Sequence, residues 1–227
     1  MKNIDLLLEN IDCVLFDVDG TLIDSMGLWK EVDRIYLNSY NIPMPDDLQK
    51  KLSGLSIQEA AAYFRYDLGI DEPPEKMLSD WNRLAKHEYE VNVPLKAGAL
   101  RLIKELESRG IKMGVGTSNT RMLATTVLER FDLIKYMGVM LTGEDVKIGK
   151  PDPYIYLKGA ETLGVSPDRC LVFEDIPAGI MAGKSAGMKV CAVYDRFSQH
   201  QTQEKKELAD YYVNSLEDIF DEKMEIL

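Results

Sequence analysis

Two acidic side chains at the end of a predicted strand indicate a candidate catalytic site. Asp17 and Asp19 follow directly after the apolar run Cys13–Phe16, which predicts the end of a buried parallel strand. Gly20 then permits a sharp turn. Carboxylates crowded at such a place repel each other and lose solvation, which a divalent cation would compensate. One acid could then attack a substrate while the other moves a proton.

Three further polar segments lie at the ends of predicted strands or in the loops after them. They are Gly116-Thr117-Ser118-Asn119, Gly149-Lys150-Pro151-Asp152-Pro153 and Phe173-Glu174-Asp175. Asp175 would join Asp17 and Asp19 as an oxygen ligand suited to Mg²⁺. Lys150 and the Thr117 hydroxyl could hold the oxygens of an anion brought by that metal. These groups suit phosphoryl transfer, in which positioning and charge neutralisation carry most of the catalysis.

Each motif also has a simpler structural interpretation. Asp17 and Asp19 could form turns or cap helices. The segment Thr117-Ser118-Asn119 could cap a helix that begins near Arg121, and Lys150 alone is typical of a surface lysine. The functional interpretation is favoured because all four motifs occur in order, each in a suitable strand context.

The elements that must position these residues alternate along the chain. Short apolar runs predict strands at Ile11–Phe16, Lys112–Thr117, Gly138–Leu141, Cys170–Phe173 and Lys189–Tyr194, with a weaker one at Tyr211–Asn214. Helical patterns separate most of them, at Ala97–Arg109, Met122–Phe131, Pro153–Leu163 and Pro177–Ala186. This alternation predicts an α/β fold, a Rossmann-like parallel sheet with helices on both faces. The polar run Ser198–Glu207 predicts a solvated surface.

The segment between the first two strands breaks this pattern. It predicts helices without a convincing strand, at Met26–Tyr40, Asp46–Leu52, Ile57–Leu68 and Glu75–Glu90. We therefore expect a catalytic core of residues 1–23 and 95–227, with an inserted α-helical cap domain of residues 24–94. An insert at this point would lie over the carboxyl ends of the strands, where open α/β sheets bind ligands.

Composition and net charge restrict the classes of partner that this chain could bind. The chain of 227 residues has a net charge of −11 and no basic stripe, which argues against binding nucleic acid. No run approaches the roughly 18 apolar residues of a membrane span, and the N-terminal segment does not resemble a signal peptide. The three cysteines lie in apolar runs, which favours a reducing cytoplasm. The oligomeric state is not predicted.

The motifs resemble those of the haloacid dehalogenase (HAD) superfamily, in particular its helical-cap subgroup of phosphatases and β-phosphoglucomutase-like proteins. The resemblance covers essentially the whole chain. It rests on Asp17-Val18-Asp19-Gly20-Thr21-Leu22, Thr117-Ser118-Asn119, Gly149-Lys150-Pro151-Asp152-Pro153 and Phe173-Glu174-Asp175 with Ala178-Gly179-Ile180. Any one of these motifs alone would be a weak signal.

The resemblance implies a role for each site residue. Asp17 would be the nucleophile that becomes an aspartyl phosphate, and Asp19 the general acid and then the base. Mg²⁺ would be held by Asp17, Asp175 and the main-chain carbonyl of Asp19, with Glu174 beside these ligands or reaching the metal through water. The residues implied to bind the substrate phosphate are Thr117, Ser118, Asn119 and Lys150.

The implied activity is a Mg²⁺-dependent phosphatase acting on a small phosphorylated metabolite, such as a sugar phosphate. The alternative is a sugar phosphomutase of the β-phosphoglucomutase kind, with a non-catalytic binding protein third. In those mutases a His on the first cap helix and an Arg in a cap loop grip the second phosphate. Trp29 and Ile57 stand at these positions. Losing a charged contact to a phosphate costs about 2–5 kcal/mol, which favours the hydrolase.

Overall fold

The secondary structure alternates between helices and strands through most of the chain. The computed structural model describes residues 2–52 and 57–227. Its α-helices are α1 (Asn3–Leu7), α2 (Met26–Ser39), α3 (Leu48–Leu52), α4 (Ile57–Tyr66), α5 (Pro74–Val91), α6 (Ala99–Ser108), α7 (Arg121–Arg130), α8 (Tyr154–Leu163), α9 (Pro177–Ser185) and α10 (Thr202–Leu208). Its strands are β1 (Cys13–Phe16), β2 (Lys112–Gly116), β3 (Val139–Leu141), β4 (Cys170–Glu174), β5 (Lys189–Val193), β6 (Tyr211–Val213) and β7 (Glu225–Ile226).

The chain divides into two compact units. One comprises Met1–Ser25 and Pro94–Leu227, and the other comprises Met26–Val93. The first unit contains the sheet, in the order β3-β2-β1-β4-β5-β6-β7. All pairings are parallel except that of β6 with β7. The predicted α/β class with a mostly parallel sheet is therefore confirmed.

The register between the two central strands places the first acidic motif beside the last. All residues of β1 and β4 are buried, as continuous apolar runs covered on both faces require. Phe16 lies opposite Phe173, and their rings stack with centroids 5.3 Å apart. Asp17 follows Phe16 and Glu174 follows Phe173, so the two carboxylates leave the sheet at the same level.

One face of the sheet packs against α8 and α9. Its core joins Leu15 and Val172 from the strands with Tyr156 from α8 and Ile180 from α9. Burying one such apolar side chain contributes about 1.5–3 kcal/mol, so the central strands are firmly anchored. The three cysteines are free and buried, in keeping with the packing role that the sequence predicts.

The prediction of a solvated surface for Ser198–Glu207 is wrong at two positions, although most of the run is exposed or half-buried. Ser198 and Lys205 are 5% and 0% exposed, although they belong to the polar run that predicts a solvated surface. The tail forms a short 3₁₀ helix at Leu216–Ile219, with acidic residues in its first turn, and then β7, which pairs with β6. A polar run gives no signal for a long side chain that turns inward and hydrogen-bonds to main-chain carbonyls.

The second unit is helical, and its core is aromatic. Trp81 of α5 packs edge-on against Phe64 of α4, with ring centroids 4.8 Å apart, and against Tyr36 of α2 at 5.5 Å. Trp81 is 5% exposed, so it packs among the helices of this unit. Edge-to-face pairs of this kind add about 0.5–1.5 kcal/mol each beyond their buried area.

One acid lies inside this helical unit. Asp33 of α2 is 7% exposed and accepts a hydrogen bond of 2.8 Å from Gln49 Nε2. Burial raises the pKa of Asp33 to about 6, above the value of about 4 expected in an unfolded chain. The native state therefore binds the proton more tightly, and stability falls as the pH rises from about 4 to about 6.

Asp33→Asn should therefore stabilise the protein at pH 7.5. The substitution removes the buried charge and keeps an oxygen that can accept from Gln49. The free energy of unfolding should rise by about 1–3 kcal/mol at pH 7.5 and change little near pH 4. Urea unfolding at both pH values measures it, with the exposed Asp67→Asn as control. A loss of stability at pH 7.5, or the same change at both pH values, would contradict the electrostatic cause.

Candidate active site

Three buried carboxylates meet at the carboxyl ends of β1 and β4. Asp17, Glu174 and Asp175 each offer an oxygen, and these oxygens lie within 4.8 Å of one another. The Asp17 amide donates to the carbonyl of Phe173 at 3.0 Å, so the strand pairing continues into the cluster. The paired main chains hold these three acids close together, so their repulsion must be compensated locally.

Lys150 supplies one compensating charge. Its Nζ donates to Asp17 Oδ1 at 2.7 Å and also to Glu174 Oε1, and its side chain is 4% exposed. The Tyr156 hydroxyl donates to the same Glu174 oxygen at 2.6 Å. The Tyr156 ring centroid lies 5.2 Å from Nζ, within the range of a cation–π contact.

One ammonium does not balance three acids. Burial raises the pKa of Asp17 to about 8, although Lys150 opposes the shift. Burial and the charges of Asp17 and Glu174 also raise the pKa of Asp175 well above its usual range. Burial would lower the pKa of Lys150, but Asp17 and Glu174 hold it well above its usual range. The cluster therefore stabilises further positive charge.

Asp175 shows where a cation would fit. Its Oδ2 is buried, and no group among the described residues hydrogen-bonds to it, while Thr21 Oγ1 approaches Oδ1 only to 3.5 Å. Gly20 has a φ of +84°, and a Cβ there would lie 2.2 Å from Asp175 Oδ2. The turn thus lies directly against an unpartnered carboxylate oxygen. Such a donor set fits a hard, oxygen-preferring cation.

Asp19 is held apart from the three-acid cluster by its own partners. Its Oδ1 accepts from Ser25 Oγ at 2.6 Å and its Oδ2 from Asn119 Nδ2 at 2.9 Å. The turn that carries it is closed by a hydrogen bond of 2.9 Å from the Leu22 amide to the Val18 carbonyl. Two neighbouring acids therefore have different environments, one buried against Lys150 and one held by neutral donors.

The polar loop after β2 is built around Asn119. Thr117 is 1% exposed, and its Oγ1 accepts from the Asn119 amide at 3.1 Å. Ser118 is exposed. The following residue, Thr120, caps α7 by accepting from the Leu123 amide at 3.4 Å. The structure thus ties Asn119 and Thr117 to Asp19, and it ties Lys150 to Asp17 and Glu174.

Two contributors to the site carry no recognisable signal in the sequence. Tyr156 lies on an apolar helical pattern that predicts only core packing, and a hydroxyl aimed at Glu174 cannot be inferred from spacing. Ser25 follows the first motif by several residues, and only the folded turn brings it to Asp19. Ile57, which stands at the position of the mutase Arg, begins α4, and residues 53–56 before it lie outside the described residues.

The family is decided by comparison with known proteins. Residues 14–193 match the family model of haloacid dehalogenase-like hydrolases. This chain belongs to that family. The predicted resemblance is confirmed. No helix among the described residues has the length and apolarity needed to cross a membrane.

Several HAD-like relatives have named activities. A phosphorylated carbohydrates phosphatase of Thermotoga maritima is 34% identical over 75% of this chain and 79% of its own length. A validoxylamine A 7'-phosphate phosphatase of Streptomyces hygroscopicus is 32% identical over 74% of this chain and 79% of its own length. A crystal structure of a candidate beta-phosphoglucomutase from Thermotoga maritima is 31% identical with a TM-score of 0.78, covering 93% of this chain and 97% of that one.

Gly179 of α9 packs closely against the Glu174 carboxylate of the three-acid cluster. A Cβ at this position would lie 1.9 Å from the carboxyl carbon of Glu174. Glu174 is fully buried and held by Lys150 and Tyr156, so it has no room to move aside. The close approach of the helix to the carboxylate therefore requires glycine.

Gly179→Ala should destabilise the protein. The methyl group would push Glu174 away from its two donors, at a cost of about 2–4 kcal/mol that exceeds the gain of about 1 kcal/mol in helix propensity. Denaturant unfolding measures this. The control is Gly149→Ala, where no atom lies within 4 Å of the added Cβ and a change within about 0.5 kcal/mol is expected. Equal stability of both variants would contradict the packing.

Proposed function

We propose that this protein is a Mg²⁺-dependent phosphatase that hydrolyses a small phosphorylated metabolite, such as a sugar phosphate, through an aspartyl phosphate on Asp17. The observation that carries the proposal is the buried Asp17–Lys150 pair at 2.7 Å, beside an Asp175 oxygen without a partner among the described residues. The named phosphatases among the relatives support it. The assignment of residues 24–94 as a cap domain that selects the substrate stays a prediction.

The acidic cluster is the proposed metal site. The carboxylates of Asp17 and Asp175 and the main-chain carbonyl of Asp19 would hold Mg²⁺, with Glu174 beside them. The metal would supply the positive charge that the three acids require. A bound phosphate ester would add negative charge and increase that requirement. Lys150 and Thr117, with Ser118 and Asn119, would bind the oxygens of the transferring phosphoryl group.

The first half-reaction moves the phosphoryl group to Asp17. A carboxylate oxygen of Asp17 forms a bond to phosphorus while the bond from phosphorus to the leaving oxygen breaks. Asp19, protonated at this stage, gives its proton to that oxygen, so a neutral alcohol departs. Ser25 and Asn119 hold the Asp19 carboxyl group in place during the transfer.

The second half-reaction hydrolyses the aspartyl phosphate. Asp19, now a carboxylate, takes a proton from a water molecule whose oxygen attacks phosphorus. The bond from phosphorus to Asp17 breaks, inorganic phosphate leaves, and the Asp17 carboxylate is restored. Asp19 ends protonated, ready for the next substrate. Lys150 compensates the returning charge on Asp17 through their hydrogen bond.

A sugar phosphomutase is the second candidate. The observation that favours it is the likeness to the candidate beta-phosphoglucomutase structure. Trp29 argues against the mutase, because an indole carries no charge. It cannot replace the charged contact that a His at this position makes with the second phosphate. An assay for conversion of β-glucose 1-phosphate to glucose 6-phosphate, run beside a phosphate-release assay, separates the two.

Asp17→Asn should abolish phosphate release. The amide is a poor nucleophile, so we expect a loss of about a thousandfold or more. The measurement is phosphate release from a set of phosphorylated sugars, polyols, nucleotides and organic acids with Mg²⁺. The exposed Asp168→Asn is the matched control. Residual activity near that of the wild type would rule out Asp17 as the nucleophile.

Asp19→Asn should affect the two half-reactions differently. Phosphoryl transfer from p-nitrophenyl phosphate needs little protonation of the leaving group, whereas hydrolysis of the aspartyl phosphate still needs a base. We expect turnover to fall by about 10²–10⁴-fold and the phosphorylated protein to accumulate. Intact-mass measurement after rapid quenching detects the added phosphoryl group. Normal turnover, or slowing without accumulation, would contradict the assigned order of steps.

A further inference from the structure

A fully buried lysine contacts the main chain of Asp175. Lys205 of α10 is 0% exposed. Its Nζ donates to the Asp175 carbonyl at 2.9 Å, the Val193 carbonyl at 3.1 Å and Ser198 Oγ at 3.1 Å. An ammonium has three N–H donors and no acceptor, so every donor is satisfied. Burial of a charge in this way is costly unless the charge has a structural or functional use.

The Asp175 carbonyl is held twice. It accepts from Lys205 Nζ and also from Ser198 Oγ, both at 2.9 Å. On the other side of the same residue, the Asp175 amide donates to Glu174 Oε2 at 3.1 Å. Both polar groups of the Asp175 main chain are therefore fixed by side chains.

The Asp175 side chain, by contrast, has little to orient it. Its Oδ2 has no hydrogen-bond partner among the described residues, and its Oδ1 has only the long contact of 3.5 Å with Thr21. The position of this carboxylate therefore depends on the main chain that carries it and on the Gly20 turn packed against its Oδ2. The groups that fix that main chain thus help to decide where the carboxylate points.

The charges around Lys205 are mixed. Burial disfavours its charged form and Lys96 repels it, whereas Asp175, Asp195 and Glu174 attract it. Lys96 is itself paired with the buried Asp195 at 2.6 Å. Lys205 therefore serves the Asp175 main chain rather than forming a simple ion pair with a carboxylate.

We propose that Lys205 is a positioning residue for the metal site, a tethered monovalent cation that orients Asp175 by gripping its carbonyl. The inference rests on the proposed function, because it assumes that Asp175 is a ligand of the metal. Two carbonyls and a hydroxyl are also oxygen donors of the kind that K⁺ accepts. A free cation could therefore take the place of the ammonium when the side chain is shortened.

The direction of the change in metal affinity distinguishes a positioning role of Lys205 from a purely electrostatic one. Lys205→Met keeps the length of the side chain and removes its charge. Loss of a positive charge near a dication site would by itself tighten metal binding. Loss of a positioning contact to a ligand weakens metal affinity, typically by about 10–100-fold. We expect the weakening to dominate.

The experiment is a titration of the substrate-free protein with Mn²⁺, followed by electron paramagnetic resonance. Lys205→Met should bind Mn²⁺ about 10–100-fold more weakly than the wild type, and Ser198→Ala should show a smaller loss. The control is Lys206→Met on the same helix, whose Nζ pairs with Glu225 at 2.7 Å and which should bind normally. In steady-state kinetics, Lys205→Met should require a higher Mg²⁺ concentration for half-maximal activity. At saturating Mg²⁺ its kcat should largely recover.

A shortened variant keeps the test decisive if Lys205→Met does not fold. Lys205→Ala should regain Mn²⁺ affinity when n-propylammonium or K⁺ is added, which a merely structural role would not produce. Unchanged or tighter Mn²⁺ binding in Lys205→Met overturns the proposal. So does the combination of normal binding in Ser198→Ala and no response of Lys205→Ala to added cations. Absence of Mn²⁺ binding in the wild type would instead overturn the proposed function.

Discussion

The repulsion among three buried carboxylates is the constraint on which this site depends. The register of β1 with β4 sets Asp17 beside Glu174, and chain continuity adds Asp175. A sheet so anchored in its core cannot relax to separate them. The compensating groups are therefore built into the surrounding elements: Lys150 from a loop and the Tyr156 hydroxyl from α8. Gly20 and Gly179 allow the backbone to approach the carboxylates closely enough for this arrangement.

The same constraint gives two adjacent acids different properties. Burial raises the pKa of Asp17 to about 8, so its ionisation depends on nearby cations. Asp19, two residues away, is held by the neutral donors Ser25 and Asn119. These different environments suit the two roles proposed above, with Asp17 as the nucleophile and Asp19 as the acid and base of a phosphoryl-transfer site. One turn of the chain thus supplies both.

Much of this arrangement could be predicted from the sequence, because it depends on local patterns. The apolar run before Asp17 predicted β1, and the polar breaks after the other strands predicted where Thr117, Lys150 and Asp175 would lie. What escaped prediction depends on long-range contacts. Tyr156 looks like core packing until its hydroxyl meets Glu174, and Lys205 looks solvated until α10 folds inward. Pairing of β7 with β6 was missed for the same reason, since a two-residue strand has no periodicity to detect.

A stability measurement shows most directly whether the three-acid cluster favours binding of a further cation. Thermal unfolding of the wild type and of Asp175→Asn would be followed in EDTA and over a Mg²⁺ titration at constant ionic strength. The account predicts that Asp175→Asn is the more stable protein in EDTA, because an uncompensated buried charge is gone. It predicts that Mg²⁺ then raises the unfolding temperature of the wild type saturably and leaves that of the variant unchanged. A less stable variant in EDTA, or an equal response of both proteins to Mg²⁺, would contradict it.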